Sequence, residues 1–283
     1  MPFIPYQECL ARLRREIAAG RPIIGAGAGT GLSAKFSERG GVDLIIIYNS
    51  GRYRMAGRGS LAGLMPYGDA NAIVVEMAAE VLPVVRNTPV LAGVCGTDPF
   101  RLMPVFLAEL KRMGFDGVQN FPTVGLIDGR FRQMLEETGM GIEPEVEMIR
   151  QAHELGMLTC PYVFDEDTAA RFSRAGADVV VAHVHTTVGG SVGVTDTAMS
   201  LDEAVERVQA MGDAARAVNP EVIVLCHGGP IARPEDAGYV LERTRGVAGF
   251  FGASSIERLA AEPAIEEQAR RFKSLGKGGG GKP

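Results

Sequence analysis

With 283 residues, 46% of them hydrophobic and 22% charged, the chain has the composition of an ordinary globular protein, and its length suits one large α/β domain. Its 29 basic and 34 acidic side chains leave a net charge of -5, which argues against a dedicated nucleic-acid surface. No long uncharged apolar span occurs, and the opening residues lack a basic region followed by an apolar core, so a cytoplasmic protein off the membrane is expected.

Leu10, Leu13 and Ile17 recur at helical spacing and Gly20 can stop the turn, which predicts a helix over 7–19. A strand over 22–25 follows, then the flexible AGAGTG and a short helix ending near Gly40. A second strand over 42–48 leads into the long connection 49–67, a length more typical of functional loops, and then a helix over 70–85. After a strand over 90–95, Asp98-Pro99 spells a cap and a first helical turn. The short strand 117–120, a minor helix and a helix over 144–155 come next. A strand over 158–163 precedes Asp165, a cap for a helix reaching Arg174. The sixth strand starts at 177 and ends at His183 or His185, followed by the glycine- and threonine-rich TTVGGSVGVTDTAM. Ser200 and Glu203 have capping-box spacing, and the helix they open runs to Val218. Strands over 222–226 and 247–251 flank a helix from Pro234. Ser254 and Glu257 repeat the box before a last helix towards residue 274.

Eight strands, each followed by a helix, predict a single-domain (β/α)8 TIM barrel over 1–275, with the helix 7–19 covering one end and 276–283 a flexible tail. RGGVD, MGFDG and AGADV support this division: each sets a glycine helix stop shortly before an aspartate that leads into a strand. GAGAGTG at 25–31 lacks the acidic residue of a dinucleotide fold, which weakens an open doubly wound sheet.

Barrel chemistry sits at the C-terminal strand ends. There the sequence delivers Tyr48, Asn49, Cys95, Asp98, Gln119, Asn120, Tyr162, His183, His185, His227, Ser254 and Ser255. His183 and His185, two apart, face one side if the strand continues that far, and His227 comes from the next strand. Three imidazoles there suit a divalent metal, acid and base work, or structural hydrogen bonds. Asp98 suits a metal or a cap. Asp196 reads as a loop residue able to reach the site. Cys95 and Cys226 read as strand packing, with no motif for an activated thiolate, and the four cysteines lack metal spacing. Arg52, Arg54 and Arg58 lie in the long second connection, where one guanidinium can grip an anion. Gly228, Gly229, Gly252 and Ser254 can add backbone amides at the loops after the last two strands. No lysine lies in a predicted strand, which argues against a Schiff-base aldolase.

The stretches GAGAGTGLSAKFSERGGVDLIIIYNSGRYR, VCGTDPF, GVQNFPTVGLIDG, AHVHTTVGG and GFFGASSIERL make the chain resemble the phosphoenolpyruvate hydrolase-like family, described as TIM-barrel signal-transduction proteins. The resemblance covers nearly the whole chain. It implies kinship with phosphonopyruvate hydrolase and phosphoenolpyruvate mutase barrels, in which Mg2+ holds a 2-oxoacid or its enolate. Where those barrels carry Asp-x-Asp on the third strand, this chain has Cys95-Gly96-Thr97-Asp98, and only Asp98 can substitute, at a shifted position.

The combined reading is a hydrolase or lyase of a small phosphorylated or phosphonylated 2-oxoacid. Asp98 would hold Mg2+. Asn49, Arg52, Gly228, Gly229, Gly252 and Ser254 would bind the anion. One of His183, His185 and His227 would move the proton, and Gln119 or Asn120 would orient the substrate. The alternatives are a metal-dependent carbon-carbon aldolase or lyase and a non-catalytic anion-sensing barrel. Apolar outer helices point to a homo-oligomer.

Overall fold

Four-residue runs such as Leu44–Ile47 and Val90–Gly93 are buried at every position, as strands of a parallel sheet must be when helices cover it. A computed structural model describes residues 4–195 and 199–275, so the expectations for Asp196 and for the tail 276–283 fall outside the described residues. The elements follow in chain order: α1 (Tyr6–Ala18), β1 (Ile23–Gly27), α2 (Gly31–Arg39), β2 (Leu44–Ile47), α3 (Asn49–Met55), α4 (Ala70–Val81), β3 (Val90–Gly93), α5 (Met103–Met113), β4 (Gly117–Gln119), α6 (Gly129–Glu137) and α7 (Glu143–Glu154). The second half holds β5 (Leu158–Thr159), β6 (Tyr162–Val163), α8 (Glu166–Arg174), β7 (Val179–His185), α9 (Leu201–Val218), β8 (Ile223–Gly228), α10 (Pro234–Arg243), β9 (Val247–Gly252) and α11 (Arg258–Lys273).

All nine strands join one strongly curled sheet in the order β5-β4-β3-β2-β1-β9-β8-β7-β6, and each pairing is parallel. The sequence predicts eight strands. The ninth arises because the expected strand 158–163 divides at Pro161, which has no N–H to donate to a ladder. Its two pieces are the outermost strands of the sheet. The Cys160 N–H donates to the Val118 carbonyl at 3.0 Å on one side, and the Pro161 carbonyl accepts from the Val181 N–H at 2.9 Å on the other.

The N-terminal end of the sheet is closed by a repeated device. Asp43 accepts the Ile24 N–H at 2.8 Å, Asp116 that of Val90 at 2.9 Å, and Asp178 that of Thr159 at 2.9 Å. Each aspartate thereby satisfies a backbone donor of an earlier strand: Ile24 of β1, Val90 of β3 and Thr159 of β5. α1 docks beneath this layer: Asp116 also takes the Ile4 N–H at 3.0 Å, and the Tyr6 hydroxyl donates to Asp178 at 2.7 Å.

Local signals place several helices correctly. Ser200 and Glu203 form their capping box, and Asp165 caps α8 with Thr168. Two others are overridden. α5 begins at Met103, and Asp98 accepts the Phe100 N–H at 2.9 Å in a turn. α11 begins at Arg258, and the Ser254-Glu257 box does not form because both side chains have distant partners. The long connection 49–67 is structured, with α3 followed by a 3-10 turn over Ser60–Leu64.

Candidate active site

At the C-terminal strand ends, β7 and β8 run in register so that His183 lies opposite His227. Their rings are 4.5 Å apart between centroids, and Tyr162 packs 4.9 Å from one and 5.0 Å from the other. The register then shifts: His185 pairs with Gly228, and its side chain is exposed to solvent. This bulge breaks the two-residue alternation that would have kept His185 on the inner face. Two imidazoles meet, not three.

The His227 Nδ1–H donates to the Phe251 carbonyl, which can only accept, so Nε2 carries the lone pair. Burial lowers the His227 pKa to about 4, and the same cause, with the neighbouring imidazoles second, sets His183 well below its ordinary value. Both rings are therefore neutral at pH 7. His183 Nδ1 is buried without a hydrogen-bond partner.

A cavity of about 30 Å³ remains beside the pair, lined by Tyr48, Ser50, Ser60, Tyr162, Thr187 and Ser254 among others. It has room for about one water. Ser60 and Leu61 wall it on one side, and their segment Ser60–Leu64, a cover on that side, is tied down at three points: Asn49 Nδ2 donates to the Gly63 carbonyl at 2.9 Å, Ser50 Oγ to the Ser60 carbonyl at 2.7 Å, and Ser60 Oγ lies 3.0 Å from Ser254 Oγ. Asn49 and Ser254 thus hold the cover.

Of the three loop arginines, Arg54 is the one drawn inward. It is fully buried, with Nε 2.7 Å from Glu257 Oε2, while Glu257 Oε1 accepts the Gly29 N–H at 2.6 Å. Arg52 lies on α3 and faces Glu76 of α4 at 3.9 Å, lining neither this cavity nor its neighbour, and Arg58 is exposed. The pairing of Arg54 with Glu257 spans most of the chain, so no local pattern announces it.

Gln119 and Asn120 are taken up by the wall of the curled sheet. Gln119 Nε2 donates to the Cys160 carbonyl at 2.9 Å. Asn120 accepts the Tyr162 N–H at 2.7 Å and donates to Glu145 at 2.7 Å, so the two bridge the strand interruption at Pro161. Glu145 escaped sequence reasoning because it reads as an ordinary first-turn acid of a helix. It is fully buried, accepts from Thr123 and the Val124 N–H as well, and burial raises it to about 7. Gly228 and Gly229, at φ +83° and +56°, make the turn after β8, but the Gly229 N–H already donates to the His185 carbonyl at 2.8 Å. Gly252 ends β9, crowded by Phe250, Ser255 and Ile256. Cys226 is buried, its thiol pushed up to about 12, and burial likewise raises Cys95.

Asp98 does not fit a divalent cation. One oxygen accepts from the Phe100 N–H; the other accepts from Asn71 at 2.9 Å and is ion-paired with Arg101, so donors and a guanidinium surround it. Among the described residues no group of three or more His, Cys, Asp or Glu is placed to hold a metal. Asp98 instead borders a wider cleft of about 560 Å³, walled by Met65, Phe100, Phe131 and Met140 on the far side of the cover.

A profile of the family described as phosphoenolpyruvate hydrolase-like matches residues 8–275. The chain belongs to the phosphoenolpyruvate hydrolase-like family. This phosphoenolpyruvate hydrolase-like chain is 63% identical over 266 residues to the ToMV resistance protein Tm-1(GCR237) of Solanum lycopersicum, covering 94% of itself and 35% of that relative. It is 35% identical to the putative transcriptional regulatory protein y4pA of Sinorhizobium fredii, covering 95% of itself and 44% of that protein. It thus spans less than half the length of these curated relatives.

Among solved structures, the fold is shared with phosphoenolpyruvate phosphomutase from Streptomyces platensis (TM-score 0.59, 18% identity, 93% of this chain and 87% of that one). It is also shared with a phosphonopyruvate hydrolase in complex with oxalate and Mg2+ (0.56, 16%, 97% and 91%) and with 2,3-dimethylmalate lyase (0.57, 17%, 95% and 90%). No helix among the described residues is long and apolar enough to cross a membrane.

Proposed function

We propose that the chain is a hydrolase or lyase of a small 2-oxoacid, with the imidazole pair of β7 and β8 as its proton-transfer centre. The observation that carries this is the His227 ring, buried beside His183, with Nδ1 fixed by the Phe251 carbonyl and the Nε2 lone pair left free to accept. A neutral imidazole of fixed tautomer beside a small polar cavity can take a proton from a bound water or substrate and return it. In this reading Ser60–Leu64 shifts to admit a substrate and then excludes bulk water.

The strand ladder supports a closed (β/α)8 reading, in which 158–163 acts as one fifth strand bonded on both sides. We also read the protein as cytoplasmic and homo-oligomeric. Exposed Phe100, Leu102 and Phe131 favour self-association, which light scattering tests.

Two substrate chemistries are in play. The family name and the fold relatives favour phosphonopyruvate or phosphoenolpyruvate. Charge favours the second, carbon-carbon cleavage of a less charged 2-oxoacid. Among the described residues around the mouth, Arg54 is matched by Glu257, Arg258 by Glu262, and both imidazoles are neutral. A highly anionic phosphonate would meet no unmatched buried cation at these two arginines.

Pyruvate release from phosphonopyruvate, phosphoenolpyruvate and oxaloacetate, measured with Mg2+, Mn2+ or chelator, tests the reading. Turnover of at least one is expected, falling about 100-fold or more in His227→Asn. Asp98→Asn is expected to keep it, since Asp98 faces donors. Binding without turnover of all three would replace the enzyme by a sensor.

A further inference from the structure

We infer that Arg258, with Thr186, Thr187 and Ser254, forms a carboxylate-binding subsite next to the imidazole pair. The inference rests on the mouth being the ligand-binding end, and it names the residues that would recognise the ligand there. A cavity of about 60 Å³ lies between the loop after β7 and the start of α11. It shares Ser60, Leu61, Thr186, Thr187 and Ser254 with the cavity beside His183 and His227, so the two adjoin through a common wall. Arg258 lines the outer one.

Arg258 is 4% exposed. Its Nη1 donates to Glu262 at 3.0 Å and its Nη2 to the Gly189 carbonyl at 2.9 Å, which leaves Nε buried without an acceptor. Nη1 and Nη2 each carry a second N–H beyond these bonds, so the nearly buried guanidinium that lines the cavity can donate to an oxygen placed there. Thr186, Thr187 and Ser254 line the same space and bring hydroxyl groups to its wall.

The glycine-rich loop after β7 gains a reason from this arrangement. A Cβ at Gly190 would stand 2.0 Å from Arg258 Nη1, and one at Gly193 would stand 3.1 Å from Nη2. The loop is moulded onto the guanidinium, and larger side chains would push it out of the cavity wall. Charge then selects the ligand. Glu262 already offsets much of the Arg258 charge, so a singly charged carboxylate is accommodated more readily than a dianionic phosphate. A 2-oxoacid bound by its carboxylate here would extend its reactive end towards His227.

Titration of the full chain with pyruvate, and separately with inorganic phosphate, tests the subsite without requiring turnover. Saturable pyruvate binding, tighter than that of phosphate, is expected, weakened about tenfold in Thr187→Val and more in Arg258→Lys, with Asp43→Ala at the opposite end of the sheet changing it little. Circular dichroism establishes that each variant is folded. Should Arg258→Lys not fold, Thr187→Val and a crystal of the wild-type protein grown with pyruvate decide the matter, with density expected against the Arg258 guanidinium. No pyruvate binding, equal binding by the folded variants, preference for phosphate, or pyruvate seated elsewhere would each overturn the assignment. Arg258-dependent binding without turnover of any 2-oxoacid would leave the subsite standing and remove the catalytic reading.

Discussion

The two ends of the sheet solve the same problem differently. At the N-terminal end, Asp43, Asp116 and Asp178 each accept a backbone N–H from an earlier strand, one contact used three times. At the C-terminal end each polar side chain has its own partner: Arg54 with Glu257, His227 with the Phe251 carbonyl, Asn120 with Glu145, Ser60 with Ser254. The repeated contacts span 19 to 26 residues. At the mouth His227–Phe251 and Asn120–Glu145 span 24 and 25, while Arg54–Glu257 and Ser60–Ser254 join segments 203 and 194 residues apart beside the cavities. One end reads as scaffold and the other as a site.

The largest effect expected from breaking this contrast lies at the mouth. Glu257→Gln leaves the fully buried Arg54 charge without its counter-ion and should cost about 3–5 kcal/mol, measured by denaturant unfolding. An equal stability for variant and wild type would show that the ion pair does not organise the loops.

Titration should separate the ends by sign. Burial raises Asp116 from 3.8 to about 6, so between those values the folded state holds a proton that the unfolded state has lost. Its contribution is therefore present at low pH and declines as pH rises, by about 3 kcal/mol in all. His227 is lowered from 6.5 to about 4, so in that window the unfolded state binds the proton first and stability falls as pH falls, by a similar amount of about 3 kcal/mol. Asp116→Asn should make the stability profile rise more steeply between about pH 4 and 6, and His227→Asn should flatten that rise. Unfolding midpoints across that range check both, and identical profiles would refute them.

The smallest expected effect is at the scaffold. Asp43→Ala removes one acceptor from a part-buried N–H and should cost about 1–2 kcal/mol, with ligand binding at the mouth unchanged. A loss of binding would show that the ends are coupled.

The sequence discloses the scaffold because its signals are short-range. RGGVD, MGFDG and AGADV place glycine and aspartate within a few residues of the strand they start, and the Ser200-Glu203 box needs only one turn of helix. Ser254 and Glu257 carry the same spacing, yet tertiary partners claim both, so a pattern that is decisive at one helix misleads at another. The position of His185 was equally hidden, since a bulge adds no residue type of its own. The imidazole pair was legible because parallel neighbouring strands bring their ends together. Arg54 was named among three candidates, and only burial distinguishes it. Arg258 and Glu145 resemble ordinary helical charges until their surroundings are known.

The cover over the imidazoles has a kinetic consequence. Three hydrogen bonds, from Asn49, from Ser50 and between Ser60 and Ser254, hold Ser60–Leu64 in place, and they must open wherever a solute enters by displacing that segment. Where opening precedes entry, arrival at the imidazoles cannot outrun the opening itself, however concentrated the solute. The hydroxyls and amide that clasp the segment would then act as a clock on the site.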